Sequence, residues 1–310
     1  MVQIKVSKKP MDFAVARAPI WCPGCGDYGI LEALRRALAE LGLPNEQVAI
    51  VSGIGCSSQL PHFMKTYGIH GIHGRVLPVA TGIKLANPKL VVIGVGGDGD
   101  GYGIGLNHLI HAARRNIGVT YIVSNNQVYG LTTGQMSPTT LKGVKTKTTP
   151  YGSIDTPVNP LALALSAGAT FVARGFSGDV PHLASIIKEA LTHRGFALVD
   201  VLSPCVTFNR VNTYDWFRAR IYKLDSAGHD PSNYEEAYKR ALEWPTLDQY
   251  GKIPIGVFYK REDLPAYEEE VSRLIGGAPI ERADEWIRRI AESGDKAAKE
   301  VLEALAPILP

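Results

Sequence analysis

Short runs rich in valine and isoleucine alternate with amphipathic stretches along the middle of the chain. The apolar runs cover residues 48–53, 90–96, 119–125, 170–175 and 196–202. Runs of this length are typical of strands buried on both faces. The segments with helical periodicity lie between them, at roughly 76–86, 101–116, 159–168 and 180–194. This alternation predicts an α/β fold, a parallel sheet with helices on both faces.

An earlier helix is marked at both of its ends. Asp27 is expected to cap its start, and Gly42 is expected to end it. Its apolar stripe consists of Ile30, Leu31, Leu34, Leu38 and Leu41. Pro10, Pro19 and the pair Lys8–Lys9 indicate an extended N-terminal arm before it.

Residues 126–158 interrupt the alternation with a stretch rich in Thr, Lys, Gly and Pro. A loop this long in a compact domain is either functional or a flexible excursion. Beyond it we expect two regions. Residues 1–208 form the α/β domain with its arm, and 209–310 form an extension that packs on that domain or on a partner. The extension contains one strand at 253–260 and a helix at 281–305.

Composition excludes several classes of protein. The 310 residues carry 33 Lys and Arg against 30 Asp and Glu, and a net charge of +3 does not indicate nucleic-acid binding. No apolar run approaches the roughly 18 residues of a membrane span, and the N-terminus lacks the apolar core of a secretion signal. We therefore expect a cytoplasmic protein without structural disulfides. Its four cysteines need another explanation.

Four chemically special residues follow predicted strand ends: Cys56, Asp98, Asn126 and Cys205. The carboxyl ends of parallel strands open onto one edge of a sheet, where such folds bind their ligands. We therefore expect these four residues to face one crevice.

The glycine-rich turn at 94–105 satisfies G-x-G-x-x-G, the pattern of a dinucleotide site. The next strand ends in asparagines instead of the acidic residue that such a site needs. Asp98 and Asp100 would also meet the pyrophosphate, which favours a bridging cation. Gly97-Asp98-Gly99 is followed after 25 residues by Asn125-Asn126. This spacing resembles the thiamine diphosphate motif, in which Mg²⁺ takes oxygen ligands and shares them with phosphate.

The cysteines allow several interpretations. Cys22 and Cys25 form a C-x-x-C pair in a glycine-bearing turn, while Cys56 and Cys205 are isolated. A redox pair, a zinc site, an iron–sulfur cluster with four thiolate ligands and four unrelated buried cysteines remain open. Scattered spacing and nearby glycines and proline favour the cluster.

Seven segments together resemble the β subunit of 2-oxoacid:ferredoxin oxidoreductases. In chain order they are WCPGCG, GIGCSSQLPHF, IHGR, ATGIKLANP, GGDGDGYGIG, NNQVYGLTTGQ and LSPC, spanning about residues 21–205. The resemblance implies a thiamine diphosphate-binding fold and CoA-dependent oxidative decarboxylation of 2-oxoacids. Electrons would pass through one [4Fe–4S] cluster to ferredoxin. It also implies an obligate α subunit, which supplies the missing half of the active site, and the 126–158 loop would take part in that interface.

The resemblance assigns residues to each group. The implied cluster ligands are Cys22, Cys25, Cys56 and Cys205. The implied Mg²⁺ ligands are Asp98, Asn126 and the carbonyl of Val128. The implied thiamine diphosphate contacts are Ile54, Gly55, Cys56, Ser57, His73, Gly99, Asp100, Gly130 and Leu131.

Gln59 bears on the substrate. Members of the family that accept 2-oxoglutarate often carry Lys at this position, three residues after the third cysteine, where it could pair with a second carboxylate. Gln can hydrogen-bond such a carboxylate but carries no charge to pair with it, which favours pyruvate or another monocarboxylic oxoacid. Cys56, His73 and Gln59 are thus the implied catalytic residues. A non-redox thiamine-dependent lyase or transferase and a non-catalytic scaffold subunit remain the alternatives.

Overall fold

A single eight-stranded sheet organises the chain. The computed structural model describes residues 7–244 and 251–278, together with 285, 288, 289, 292 and 293. The strands are β1 (Val48–Ser52), β2 (Tyr67–His70), β3 (Val91–Gly97), β4 (Val119–Asn125), β5 (Phe171–Phe176), β6 (Ala197–Leu202), β7 (Ile221–Lys223) and β8 (Ile253–Lys260). Their order is β2-β1-β3-β4-β6-β5-β8-β7. The first six are parallel, β8 is antiparallel to β5, and β7 is parallel to β8.

Helices cover both faces of this sheet, as the alternation predicts. They are α1 (Asp27–Leu41), α2 (Val76–Ala86), α3 (Leu106–Arg115), α4 (Pro160–Ser166), α5 (Val180–Thr192), α6 (Tyr214–Arg218), α7 (Tyr234–Ala241) and α8 (Tyr267–Ile275). The apolar sides of α1 and α5 build one core with the sheet, and those of α2, α3, α4 and α7 build the other. Among the described residues, none of the helices combines the length and apolarity needed to cross a membrane.

The predicted strands match the observed ones to within a residue or two, and β8 matches at both ends. Two strands and three helices were not predicted. All four residues of β2 are exposed, so it lacks the apolar run that marks a buried strand. β7 has only three residues, and α6, α7 and α8 lie in the polar region that was expected to form an extension. The predicted helix at 281–305 falls almost wholly outside the described residues.

The start of α1 differs from the prediction. Gly26 is the N-cap, and the Asp27 side chain caps nothing. Asp27 instead turns inward and accepts a hydrogen bond from Ser124 Oγ at 2.7 Å. The first turn of α1 lies against the end of β4, and this contact buries the Asp27 carboxylate. Gly42 ends the helix in the left-handed conformation, as expected.

The 126–158 region is a loop, but a packed one. Thr139 and Leu141 are fully buried, and the only pairing of strand type within it joins Tyr129 to Gln135. The N-terminal arm is also attached to the domain, since Phe13 is buried and Ala14 pairs with Met64. A flexible surface excursion therefore does not describe the loop.

A buried ion pair lies at the centre of the sheet. Arg174 on β5 and Asp200 on β6 are opposite each other in register, and their side chains meet at 2.9 Å without exposure to solvent. Asp200 Oδ1 also accepts hydrogen bonds from Tyr102 Oη and Asn125 Nδ2, both at 3.0 Å. The Arg174 guanidinium stacks over Trp244, with the ring centroid 4.4 Å away. One carboxylate thus joins three strands and the glycine-rich turn.

Asp200→Ala should lower the free energy of unfolding by about 3–5 kcal/mol, because it leaves the Arg174 charge buried and unpaired. Denaturant unfolding of the purified chain measures this. Lys188→Ala is the control, since it breaks an exposed ion pair with Glu40 and should cost less than about 1 kcal/mol. Equal losses for the two variants would contradict the central role of the buried pair.

Candidate active site

A cavity of about 440 Å³ opens at the carboxyl ends of β1, β3 and β4. Between β1 and β3 the chain order reverses, which is the position where open α/β sheets bind ligands. The lining residues are Ile54, Gly55, Cys56, Ser57, His73, Gly97, Asp98, Gly99, Asp100, Asn126, Val128, Tyr129, Gly130, Leu131 and Thr132. All three residues expected as magnesium ligands and all nine expected as thiamine contacts are among them. Cys205 and Gln59 are not.

Asp98 follows β3 directly and is buried on the cavity wall. Its Oδ2 accepts hydrogen bonds from Thr139 Oγ1, at 2.6 Å, and from Ser137 Oγ. Burial raises the pKa of this carboxyl to about 6 although the two hydroxyls act against the shift. Neutral donors satisfy hydrogen bonds but do not offset a negative charge, so the site favours a bound cation.

The two asparagines at the end of β4 point in opposite directions. Asn125 is fully buried, its Nδ2 donates to Asp200 Oδ1, and its Oδ1 lies 2.9 Å from Thr139 Oγ1. Asn126 is half buried and lines the cavity, where its Oδ1 accepts a hydrogen bond from the Val128 amide. The carboxylate of Asp98, the amide oxygen of Asn126 and the Val128 residue therefore lie on the same cavity, and oxygen donors are what Mg²⁺ prefers.

Asp100 holds three turns together. Its Oδ1 accepts hydrogen bonds from the amides of Gly74, at 2.7 Å, and Ile54, at 3.1 Å. His73 Nδ1 lies 3.0 Å from the same oxygen. A side chain at Gly53 would collide with this carboxylate, since its Cβ would lie 2.2 Å from Oδ1. Asp100 thus positions the histidine and the two turns, a role that the sequence did not reveal.

Tyr129 and Thr132 line the cavity and were not predicted. The Tyr129 hydroxyl donates to the Gly99 carbonyl at 3.2 Å, and its ring covers Gly99 so closely that a Cβ there would lie 2.0 Å from Cε1. Tyr129 belongs to the segment NNQVYGLTTGQ, so its position was visible, but its contact with the glycine-rich turn depends on the path of the loop.

The thiols of Cys56 and Cys205 lie together beside the cavity. A Cβ built on Gly130 would lie 3.5 Å from the Cys56 sulfur and 3.8 Å from the Cys205 sulfur, so both thiols face this glycine. The Gly26 amide donates to the Pro204 carbonyl, which joins the C-x-x-C turn to the segment of Cys205. Cys22 is exposed and the other three are half buried, and none forms a disulfide. Cys205 lines a neighbouring pocket with Val206, Asn209 and Arg210.

Burial and nearby negative charge disfavour free thiolates here. Burial raises the pKa of Cys56 to about 12, with Asp27 and Cys205 adding to the shift. The pKa of Cys25 is raised further, first by burial and then by Asp27, whose Oδ2 is 3.5 Å from the sulfur. Across the described ranges, no three His, Cys, Asp or Glu side chains converge at the spacing of a single-ion site.

Gln59 lies in the short 3-10 helix Ser57–Phe63, half buried and outside the cavity lining. Ile54 and Leu131, by contrast, are large apolar side chains exposed at the cavity, at 40% and 48%. The cavity is therefore closed by the sheet on one side and open through an apolar rim on the other.

Comparison with known proteins agrees with this geometry. The family model described as thiamine pyrophosphate enzyme, C-terminal TPP binding domain, matches residues 53–201. A second model, which describes the C-terminal part of the pyruvate ferredoxin oxidoreductase beta subunit, matches residues 205–275. The first therefore covers β2 to β6 and the cavity residues, and the second covers β7, β8 and α6 to α8.

Individual relatives extend over most of the chain. A 2-oxoacid:ferredoxin oxidoreductase subunit beta from Sulfolobus sp is 51% identical over 259 residues, covering 81% of this chain and 85% of the relative. A 2-oxoglutarate synthase subunit KorB from Archaeoglobus fulgidus is 39% identical, covering 82% and 89%.

A solved structure shows the same fold. The 2-oxoglutarate:ferredoxin oxidoreductase from Magnetococcus marinus, with 2-oxoglutarate, coenzyme A and succinyl-CoA bound, is similar at a TM-score of 0.82 and 42% identity, over 87% of this chain and 91% of that one. Sequence, fold and cavity agree, and the chain belongs to the β subunits of the thiamine-dependent 2-oxoacid:ferredoxin oxidoreductases.

Proposed function

We propose that this β subunit binds thiamine diphosphate through Mg²⁺ and carries one [4Fe–4S] cluster, and that with an α subunit it oxidises a 2-oxoacid to acyl-CoA and CO₂ and reduces ferredoxin. The observation that carries the proposal is the convergence of oxygen donors and the Cys56 thiol on one cavity wall, with the Cys205 thiol next to it against Gly130. Thiamine diphosphate supplies the carbanion chemistry of decarboxylation when it is bound.

The residues fit a magnesium-bridged diphosphate. Asp98, Asn126 and the Val128 carbonyl would hold the cation. The adjacent glycine-rich turn lets a diphosphate approach the backbone, and Gly99, Asp100, Gly130 and Leu131 border the same space. The buried charge of Asp98 gives the cation an electrostatic reason to bind there.

The thiols fit a cluster better than a single ion. The four cysteines come from three separate segments of the chain, and a four-iron cluster takes one thiolate from each of four such ligands. Thiols whose pKa is raised by burial become thiolates only when a cation compensates them, and iron supplies that charge. Cys56 lines the cavity, so the cluster would lie within electron-transfer contact of the cofactor.

His73 lines the cavity, and Asp100 sets the position of its ring. Asp100 lies against Nδ1, which leaves Nε2 as the nitrogen free to exchange a proton with a bound substrate. We propose that His73 transfers or holds this proton, while Ile54, Gly55, Cys56 and Ser57 bind the thiamine portion.

The open rim is the surface that an α subunit would close. Ile54, Ile72, Ile104 and Leu131 are exposed large apolar residues at or next to the cavity lining. A site that excludes water must cover such a rim. We propose that the α subunit does so and completes the binding of the thiamine ring, the oxoacid and CoA.

Cys56→Ser should remove iron and acid-labile sulfide from the purified αβ enzyme and abolish CoA-dependent dye reduction, because one cluster ligand is lost. Thiamine diphosphate should remain bound. Asp98→Asn is the matched control and should do the reverse, losing the cofactor while retaining iron. Iron, sulfide and released thiamine diphosphate are measured for each. A wild-type enzyme without iron would favour the non-redox lyase instead.

His73→Ala should lower kcat/KM by about 10²-fold, the range expected for loss of a proton-transfer group. If Asp100 acts partly by positioning His73, the histidine substitution should cost much less in an Asp100→Ala background than in the wild type. Steady-state rates of the four proteins in this cycle give the coupling. Fully additive losses would contradict the positioning role of Asp100.

The preferred substrate is proposed from Gln59, which carries no charge to pair with a second carboxylate. We expect kcat/KM for pyruvate to exceed that for 2-oxoglutarate. Gln59→Lys should raise the ratio of 2-oxoglutarate to pyruvate activity, whereas Gln59→Met should not. A wild-type preference for 2-oxoglutarate would overturn this assignment. Gln59 lies outside the cavity lining, so an effect of its substitution on substrate preference requires the bound oxoacid to extend towards it.

A further inference from the structure

Three hydroxyl side chains from the 126–158 loop reach under the cavity. We propose that Ser137, Thr139 and Thr140, called here the hydroxyl clamp, position the oxygen ligands of the divalent cation, and that cation binding in turn keeps this segment of the loop closed. The inference rests on the proposed cation site at Asp98. It adds positioning residues that neither touch the cofactor nor belong to its binding motif.

The clamp fixes the carboxylate of Asp98. Thr139 Oγ1 donates to Oδ2 at 2.6 Å, and Ser137 Oγ donates to the same oxygen. No other side chain in the described part of the protein donates to Asp98, so Oδ1 remains for a ligand. Two donors on one oxygen hold the plane of the carboxylate, which is how outer residues orient the ligands of a metal.

The clamp also contacts the buried side of the sheet. Thr139 Oγ1 lies 2.9 Å from Asn125 Oδ1, and the other end of that amide donates to Asp200. Thr139 is fully buried between the two groups. The network around Asp200 thus fixes the position of Thr139. Thr139 in turn restricts the orientation of the Asp98 carboxylate through its hydrogen bond.

The turn that carries the other two proposed ligands is held by the same segment. Thr140 Oγ1 donates to the Gln127 carbonyl at 2.7 Å, and Gln127 Nε2 donates to the Thr139 carbonyl at 3.0 Å. Gln127 has a φ of +59°, a conformation that a residue other than glycine adopts rarely without support. Asn126 and Val128 flank this residue, so the clamp positions both ends of the turn.

The clamp is therefore connected to every residue that would hold the cation. A cation that binds only when the segment is closed stabilises the closed segment. By the same amount, closing the segment strengthens cation binding. Lys142 and Lys145 follow the clamp directly and are exposed. Opening of the segment should expose the chain here to trypsin, and bound cation should slow that cleavage.

The test uses the full-length chain purified with its α subunit and stripped of metal by a chelator. Mn²⁺ serves as the probe, and free Mn²⁺ is followed by electron paramagnetic resonance in the presence of thiamine diphosphate. Thr139→Val should weaken Mn²⁺ binding by about 10- to 100-fold. Thr139→Ser, which keeps the hydroxyl, should restore most of the affinity. Thr120→Val, which removes a buried hydroxyl bonded to Ala190, is the matched control and should bind as the wild type does.

Limited proteolysis gives a second measurement that does not depend on turnover. Mn²⁺ with thiamine diphosphate should slow tryptic cleavage after Lys142 and Lys145 in the wild type but much less in Thr139→Val, as read by fragment mass. Ser137→Ala repeats both measurements if Thr139→Val does not fold. Wild-type affinity and protection in both clamp variants would overturn the inference.

Asp98→Asn separates this inference from the proposed function. If Asp98→Asn binds Mn²⁺ as tightly as the wild type, the cation site itself is wrong and the clamp has no ligand to position. If Asp98→Asn loses Mn²⁺ while both clamp variants retain it, the site stands and only the clamp is wrong.

Discussion

The rest of the site depends on the ion pair and hydrogen bonds of the buried Asp200 carboxylate. This carboxylate lies in the middle of the sheet, where burial makes an unpaired charge very costly, so the residues around it must satisfy it together. Arg174 neutralises it, Tyr102 brings in the turn after β3, and Asn125 brings in the end of β4. The positions of Asp98 and Asn126 follow, because each lies at the end of an element that this carboxylate fixes.

The polar groups between Asp200 and the cavity differ in what they do according to their distance from Asp200. Both carboxylate oxygens of Asp200 are paired, and these contacts hold the structure. The two Nη atoms of Arg174 have no hydrogen-bond partner among the residues that the structure describes, and the guanidinium lies over Trp244. The next layer, Thr139 with Ser137, contacts the core on one side and Asp98 on the other. The outermost layer faces the cavity and retains acceptors, or nitrogens such as His73 Nε2, for a ligand. The thiols lie at this same boundary, against Gly130.

The sequence was sufficient for the features that follow from periodicity and strand ends. Apolar runs predicted six of the eight strands. The rule that parallel strands share a carboxyl edge indicated that Cys56, Asp98, Asn126 and Cys205 would face one crevice. The first three line the cavity, whereas Cys205 lies beside it against Gly130. The sequence was insufficient for contacts that depend on the path of a loop through the structure. Ser137 and Thr139 lie about 40 residues from Asp98 in a loop without periodicity, and β2 is exposed throughout. Asp27 was expected to be a cap because the pattern shows a helix start but not the strand end that buries it.

The opposite orientations of Asn125 and Asn126 make this strand end intolerant of length changes. Removing one residue from β4 would move Asn126 into the core position of Asn125 and would move Asn125 into the position of Ser124, which bonds to Asp27. The composition would be almost unchanged, yet the cavity would lose the Asn126 acceptor and Asp27 would lose the Ser124 donor. For anyone redesigning this subunit, insertions and deletions therefore belong in the mostly exposed stretch 145–151, while the end of β4 and the two asparagines must keep their spacing from β3.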